Sequence, residues 1–190
     1  MVRALDNFSA LEDLFFTSLT AICATYATDT ISAPKIRIDW PTEGAPDWKI
    51  TDDVIFLQVM DDGGDDIVQA VDSVLEPAGD DLSLKQGQTR VLRLNLIAYG
   101  PNAYYFLVCI RLGLLNGNKV LRNANILIIP TTDSPHRAPE LFQGRWWERS
   151  DLSLRFNSLV EFTQTIKTIE EVDVDISANK QGDSTQVLSV

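Results

Sequence analysis

Histidine occurs once in this chain of 190 residues, at His136, and cysteine only twice, at Cys23 and Cys109. That scarcity removes most nucleophilic and metal chemistry. A zinc site needs converging Cys, His or carboxylate ligands, and His136 lies between Pro135 and Arg137 with no cysteine or second histidine nearby, so it reads as a surface-loop residue. The cysteines lie far apart, each inside an apolar helical pattern, which predicts buried reduced thiols rather than a disulfide. No serine or cysteine sits in a recognisable nucleophile motif. None of Gly63, Gly64, Gly79, Gly87 and Gly100 leads into the Lys-Ser/Thr pair of a phosphate-binding loop. Positive charge is also short, with 16 basic against 27 acidic residues and a net charge of -11. Neutralising nucleic-acid backbone requires clustered Lys and Arg, so DNA is not expected as a bound ligand. No apolar run approaches the roughly 20 residues that span a bilayer, and a soluble protein without a membrane partner is expected. Asp6, Glu12 and Asp13 among the first apolar residues are unlike a secretory leader, which points to assembly in a cytoplasm.

The length suits one sizeable core. Leu11, Leu14, Phe15, Leu19 and Ile22 follow helical spacing, with Ser9 and Glu12 as a capping-box pattern. Lys35–Trp40 reads as an early, edge-type strand closed by Pro41. Val54–Met60 reads as a strand covered on both faces. Asp61, Asp62, Asp65 and Asp66 around Gly63-Gly64 then read as a solvated turn, although carboxylates in such a cluster are also what a divalent ion would need. Ile67–Leu75 fits strand or helix, and Glu76–Gln88, with Pro77, Gly79 and Gly87, reads as a loop.

Alternation returns over Thr89–Ala98 and stops at Gly100-Pro101, where a helix to about Asn116 begins, ended by Gly117. Ala103, Phe106, Leu107, Ile110 and Leu114 form one stripe of that helix. Tyr104, Tyr105, Val108, Leu112 and Leu115 fill most of the rest, with Arg111 the only charge. A helix apolar all round needs burial all round: a neighbouring subunit could cover its second side, and a deep core position would do so equally. Asn118–Asn123 reads as a short helical turn, Ile126–Ile129 as a buried strand ended by Pro130, and Thr131–Phe142 as a loop. Arg145, Trp146, Trp147, Glu148 and Arg149 pair large rigid aromatics with arginine, as interface cores do. Successive strand residues face opposite ways, so one Trp can pack inward while the other points out. Leu152, Leu154, Phe156, Val160, Phe162 and Ile166 share one strand parity. Leu159, Phe162, Ile166 and Ile169 also fit a helix, but the β-branched content favours strand. Residues 1–176 read as one domain and 177–190 as a polar, mobile tail.

The segments AYGPNA (Ala98–Ala103) and GRWWERSDLSLRF (Gly144–Phe156), with the His136-Arg137 loop and the closing EVDVDI (Glu171–Ile176), resemble the tailed-bacteriophage neck or tail terminator family. The resemblance implies an α+β protomer, with a mixed or antiparallel sheet, an N-terminal helix and a strongly apolar second helix, that forms a ring, commonly a hexamer. It implies a structural virion protein at the head–tail junction, without enzyme activity or cofactor. Such a protein caps the head-proximal end of the tail tube, contacts the tube protein and the head–tail connector or adaptor, and lets DNA pass without binding it specifically. On that reading the apolar helix (Tyr104, Tyr105, Val108, Arg111, Leu112) and the Arg145–Arg149 segment are candidate halves of a subunit contact, and Asp61, Asp62, Asp65 and Asp66 are candidates for a lumen or tube-facing surface. The alternatives are another head–tail adaptor or tube component and, from a different class, a small metal-dependent enzyme using the Asp61–Asp66 cluster.

Overall fold

Two long strands carry the architecture. In the computed structural model, which describes residues 8–38, 48–62, 71–78, 81–130 and 133–167, β4 (Asp81–Tyr99) and β9 (Arg149–Ile166) pair antiparallel in unbroken register from Leu82↔Ile166 to Tyr99↔Arg149. Shorter strands share their outer edges in pieces. Along β4 lie β2 (Val54–Asp61), with the parallel edge strand β1 (Lys35–Ile38) beyond it, and then β3 (Val71–Ala78). Along β9 lie β5 (Ile126–Ile128) and β6 (His136–Arg137). The fold is α+β with a mixed sheet. A separate hairpin, β7 (Glu140–Phe142) and β8 (Arg145–Trp147), turns through Gln143 and Gly144, both at positive φ as a two-residue type I′ turn requires.

The helices α1 (Phe8–Tyr26), α2 (Ala103–Leu115) and α3 (Lys119–Asn123) cover one face of the base of this sheet. Leu11, Phe15, Leu19 and Ile22 of α1 and Phe106, Leu107, Ile110 and Leu114 of α2 meet Leu92, Leu94, Leu96, Leu152, Leu154 and Phe156 in the core. Phe15 and Phe156 pack edge-on at 5.0 Å. Each large side chain so buried contributes about 1.5–3 kcal/mol. Cys23 and Cys109 are buried and unpaired, as their apolar settings predict, and burial pushes the Cys23 thiol up to about 12.

Several expectations are corrected. Glu76–Gln88 is not a loop: it forms most of a β3–β4 hairpin, which takes its order from the distant β9 strand rather than from its own apolar content. Pro77 is tolerated there because β3 is an edge strand. Of Ile67–Leu75, left open between strand and helix, the part from Val71 is strand and the rest lies outside the described residues. Thr131–Phe142 includes β6 and β7. Ile126–Ile128 is an edge strand with only Ile126 fully buried. Ser9 lies within the first turn of α1, which starts at Phe8, rather than ahead of it. Pro101 lies in the turn before α2, whose N-cap is Asn102. Asp62 is no solvated turn residue. It is 7% exposed and faces two arginines. The preference for strand over helix beyond Leu159 agrees with β9, which is strand as far as Ile166. Asp65, Asp66, the EVDVDI segment and the tail lie outside the described residues.

The helix layer is tight at one point. A Cβ added to Gly113 of α2 would lie 2.7 Å from Ile22 Cγ2 of α1. Gly113→Ala should therefore destabilise by about 1–3 kcal/mol through overpacking, despite alanine's better helix propensity. Urea denaturation should show a lower midpoint, and the loss in the double variant with Ile22→Ala should be smaller than the sum of the two single losses.

Candidate functional site

The two segments that stand out in the sequence, Ala98–Ala103 and Gly144–Phe156, meet at one corner of the sheet. Tyr99 and Arg149 are register partners, and the Gly100 amide donates to the Glu148 carbonyl at 3.1 Å. Gly100 has φ +115°, and a Cβ there would lie 2.5 Å from the Asp52 carbonyl oxygen, so only glycine fits. Asp53 holds the next turn by accepting from the Asn102 amide at 2.9 Å and from its Nδ2 at 2.8 Å. The order of AYGPNA is thus the geometry of a strand end clamped to the start of α2.

Charge and aromatic packing lock the same corner from the other face of the sheet. Arg149 donates to both oxygens of Asp151, at 2.8 and 2.9 Å, and to Glu140 Oε2 at 3.0 Å, the oxygen that also accepts from Tyr99 Oη at 2.8 Å. These bonds, Asp151 foremost, raise the Arg149 guanidinium pKa. Burial, then the hydrogen bond to Glu140, pushes the Tyr99 phenol up to about 12. Trp147 stands edge-on to Tyr99 and Trp48 at 6.4 Å and to Phe142 at 6.0 Å, and Trp48 packs on Phe56 at 5.0 Å.

Further along this face Arg93 and Arg155 are directly opposed in register, a like-charge pair that is unfavourable alone. Asp62 answers both, with Oδ1 2.5 Å from Arg93 Nη2 and Oδ2 2.5 Å from Arg155 Nε. Between the two clusters the Ser153 hydroxyl donates to Asn95 Oδ1 at 2.8 Å, while His136 is 3.9 Å from Asp151. Ser153 is therefore engaged by an amide rather than placed in a serine–histidine relay. Among the described residues no group of carboxylate, histidine and cysteine side chains is arranged to hold a metal ion.

The candidate contact residues divide sharply. Trp147 and Arg149 are committed within the protomer, and Glu148 pairs with Arg137 at 2.6 Å. Trp146, on the opposite side of β8, is 68% exposed and stands across the hairpin from Leu141, 58% exposed. On α2, Tyr104, Val108, Leu112 and Leu115 form an outward stripe, with Tyr104 46% and Leu112 45% exposed. Tyr105 Oη donates to the Tyr26 carbonyl at 3.0 Å, and Arg111 Nε to the Asp133 carbonyl at 2.8 Å, which tie the edges of that stripe to the body. Asp61 is exposed at the end of β2, unlike Asp62. Sequence reasoning missed the Asp62 cluster. Its signal was Arg93 and Arg155, each set between the core-facing leucines and Phe156 of an alternating strand.

What this surface offers is contact area around a rigidly braced corner, the property of a structural scaffold protein. Over residues 9–182 the sequence matches the phage neck terminator protein family, and the chain belongs to it. Membership assigns it a structural, tail-terminating role. Among solved structures, the PVC sheath/tube terminator of an extracellular contractile injection system, in its extended state, aligns with 92% of this chain and 65% of that one, at 13% identity and a TM-score of 0.42. This chain thus spans less than two thirds of that protein's length. No curated protein matches.

Two outcomes test the braced corner. Asp62→Asn leaves the opposed arginines without a counter-charge and should cost about 1–3 kcal/mol, read as a lower urea midpoint with unchanged slope. For Tyr99, a raised phenol pKa means that the fold favours the neutral form. Its contribution is whole below the ordinary value of 10.0 and is lost as pH rises through about 12. Phenolate absorbance should show a late-titrating tyrosine that disappears in Tyr99→Phe.

Proposed function

We propose that this protein caps the head-proximal end of a phage tail tube, as a ring of identical subunits that stops tube growth and presents a docking surface to the head connector. The observation that carries the self-assembly is the pair of exposed apolar surfaces on one chain: the α2 stripe on the helical side of the sheet and the Trp146–Leu141 pair on the hairpin. Two unlike surfaces on one protomer suit heterologous contacts, which close into rings. Family membership supports the neck location and the terminating role. Tyr104, Tyr105, Val108, Arg111 and Leu112, with the segment Arg145–Arg149, remain the proposed contact residues. Trp147 and Arg149 serve by holding Trp146 in place. Asp61, Asp62, Asp65 and Asp66 remain the proposed lumen or tube-facing segment, with Asp61 the exposed member among the described positions. The net charge of -11 favours free passage of DNA over its retention. Six copies, a tube-protein partner below and a connector or adaptor partner above complete the reading, and assembly takes place in the host cytoplasm. It is structural rather than enzymatic and needs no cofactor.

Leu112→Asp places a charge on the exposed stripe and away from the core. Light scattering should show assembly weakened at least about tenfold for an unpaired charge desolvated at an interface, with the thermal midpoint within a few degrees of wild type. In particles lacking the protein, electron microscopy should show overlong tubes. Tubes of normal length would refute termination.

A further inference from the structure

On the outer half of the β3–β4–β9 arm, one face carries apolar side chains that the described residues leave exposed. In register, Pro77, Leu82 and Ile166 form one row across the three strands, and Leu75 and Leu84 lie in the next with Gln164. Phe162 stands opposite Gln86 in the row after that. Leu75 is 58%, Phe162 40% and Ile166 37% exposed. Strand parity puts these residues on the same face as Leu92, Leu94, Leu152 and Leu154, the face that α1 and α2 cover at the base of the sheet. Among the described residues the helical layer stops partway along this face, which turns polar at Arg90, Gln88 and Gln86 of β4 and becomes apolar again towards the tip of the arm. Contiguous exposed apolar patches on soluble chains mark interaction sites.

We propose that a second copy of this chain supplies the missing layer, seating the outward stripe of its α2 on the apolar face of the arm. Three features select that occupant. The stripe is the matching kind of surface, since helix on sheet is the packing this same face already uses within the protomer. The lengths agree: Tyr104 to Leu115 spans about 16 Å along a helix, and Phe162 to Ile166 about 13 Å along a strand, before side chains are added. Both surfaces are free of charge at their centres, as needed when two copies that each carry -11 approach one another. Because the stripe and the arm are different surfaces, the contact is heterologous and repeats from copy to copy. This rests on the self-assembly reading, keeps α2 as one half of the contact and puts the arm in place of the Trp146–Leu141 pair as the other half, leaving that pair for a separate contact.

Site-directed crosslinking tests it. Leu112→Cys and Phe162→Cys are prepared separately in the full chain, where native Cys23 and Cys109 are buried, and are then mixed and oxidised. A crosslinked dimer should appear only in the mixture, and the double variant should give a ladder of higher species. Assembly seen by light scattering without the mixed crosslink would overturn this inference and leave self-assembly standing. Self-crosslinking of Leu112→Cys alone would replace it with a symmetric α2–α2 contact. Wild-type protein that stays monomeric at every concentration would overturn both. Phe162→Asp supplies a second readout, and should reduce assembly at least about tenfold without lowering the monomer's thermal midpoint. A drop in that midpoint alone would show that the arm face serves the protomer, and the inference would fail.

Discussion

Everything in this protein hangs on the antiparallel pairing of β4 with β9. The two strands run side by side from the corner at Tyr99 and Arg149 to the tip at Leu82 and Ile166, far longer than the five or six residues typical of a strand. One end of this ribbon becomes the core, because two helices cover it. The other end becomes an arm, because they do not. The edge strands only extend what the ribbon has set, and each takes a separate part of its length.

The corner at the covered end explains why the most family-like segments of the sequence are so specific. Gly100 lies where a side chain would strike the Asp52 carbonyl, Asn102 is held by Asp53, and the Tyr99–Glu140–Arg149–Asp151 network ties the hairpin to the sheet. None of this resembles a catalytic arrangement, in which donors and acceptors are left facing a substrate. Here each partner is satisfied by another part of the chain, and the result is stiffness. Stiffness has a use in a scaffold: it fixes Trp146 and the start of α2 relative to one another, so that the contacts proposed at either surface would be made in defined geometry.

The apolar surfaces give the complementary half of the picture. A net charge of -11 adds repulsion between approaching copies, which apolar contact of good fit would offset. Many of the exposed large apolar side chains fall on the outer α2 stripe, the hairpin knob and the distal arm, while Phe8, Val74, Val120 and Leu127 lie outside these patches.

The sequence by itself determined the local elements whose signal is periodic: α1 from its helical spacing, β2 from its apolar run, the break at Gly100-Pro101, the split of Trp146 from Trp147, and the strand rather than helix beyond Leu159. It also determined the family, through AYGPNA and the GRWWERSDLSLRF segment. Tertiary structure alone decided the rest. Glu76–Gln88 carries the composition of a loop, and pairing with a strand some eighty residues away makes it a sheet, which no local pattern encodes. Asp62 belongs to an acidic run that reads as solvated, and only the register that sets Arg93 against Arg155 draws it inward. Which side of α2 faces the core is likewise fixed by the sheet beneath it, because a helix apolar all round has no preferred side until something packs against one.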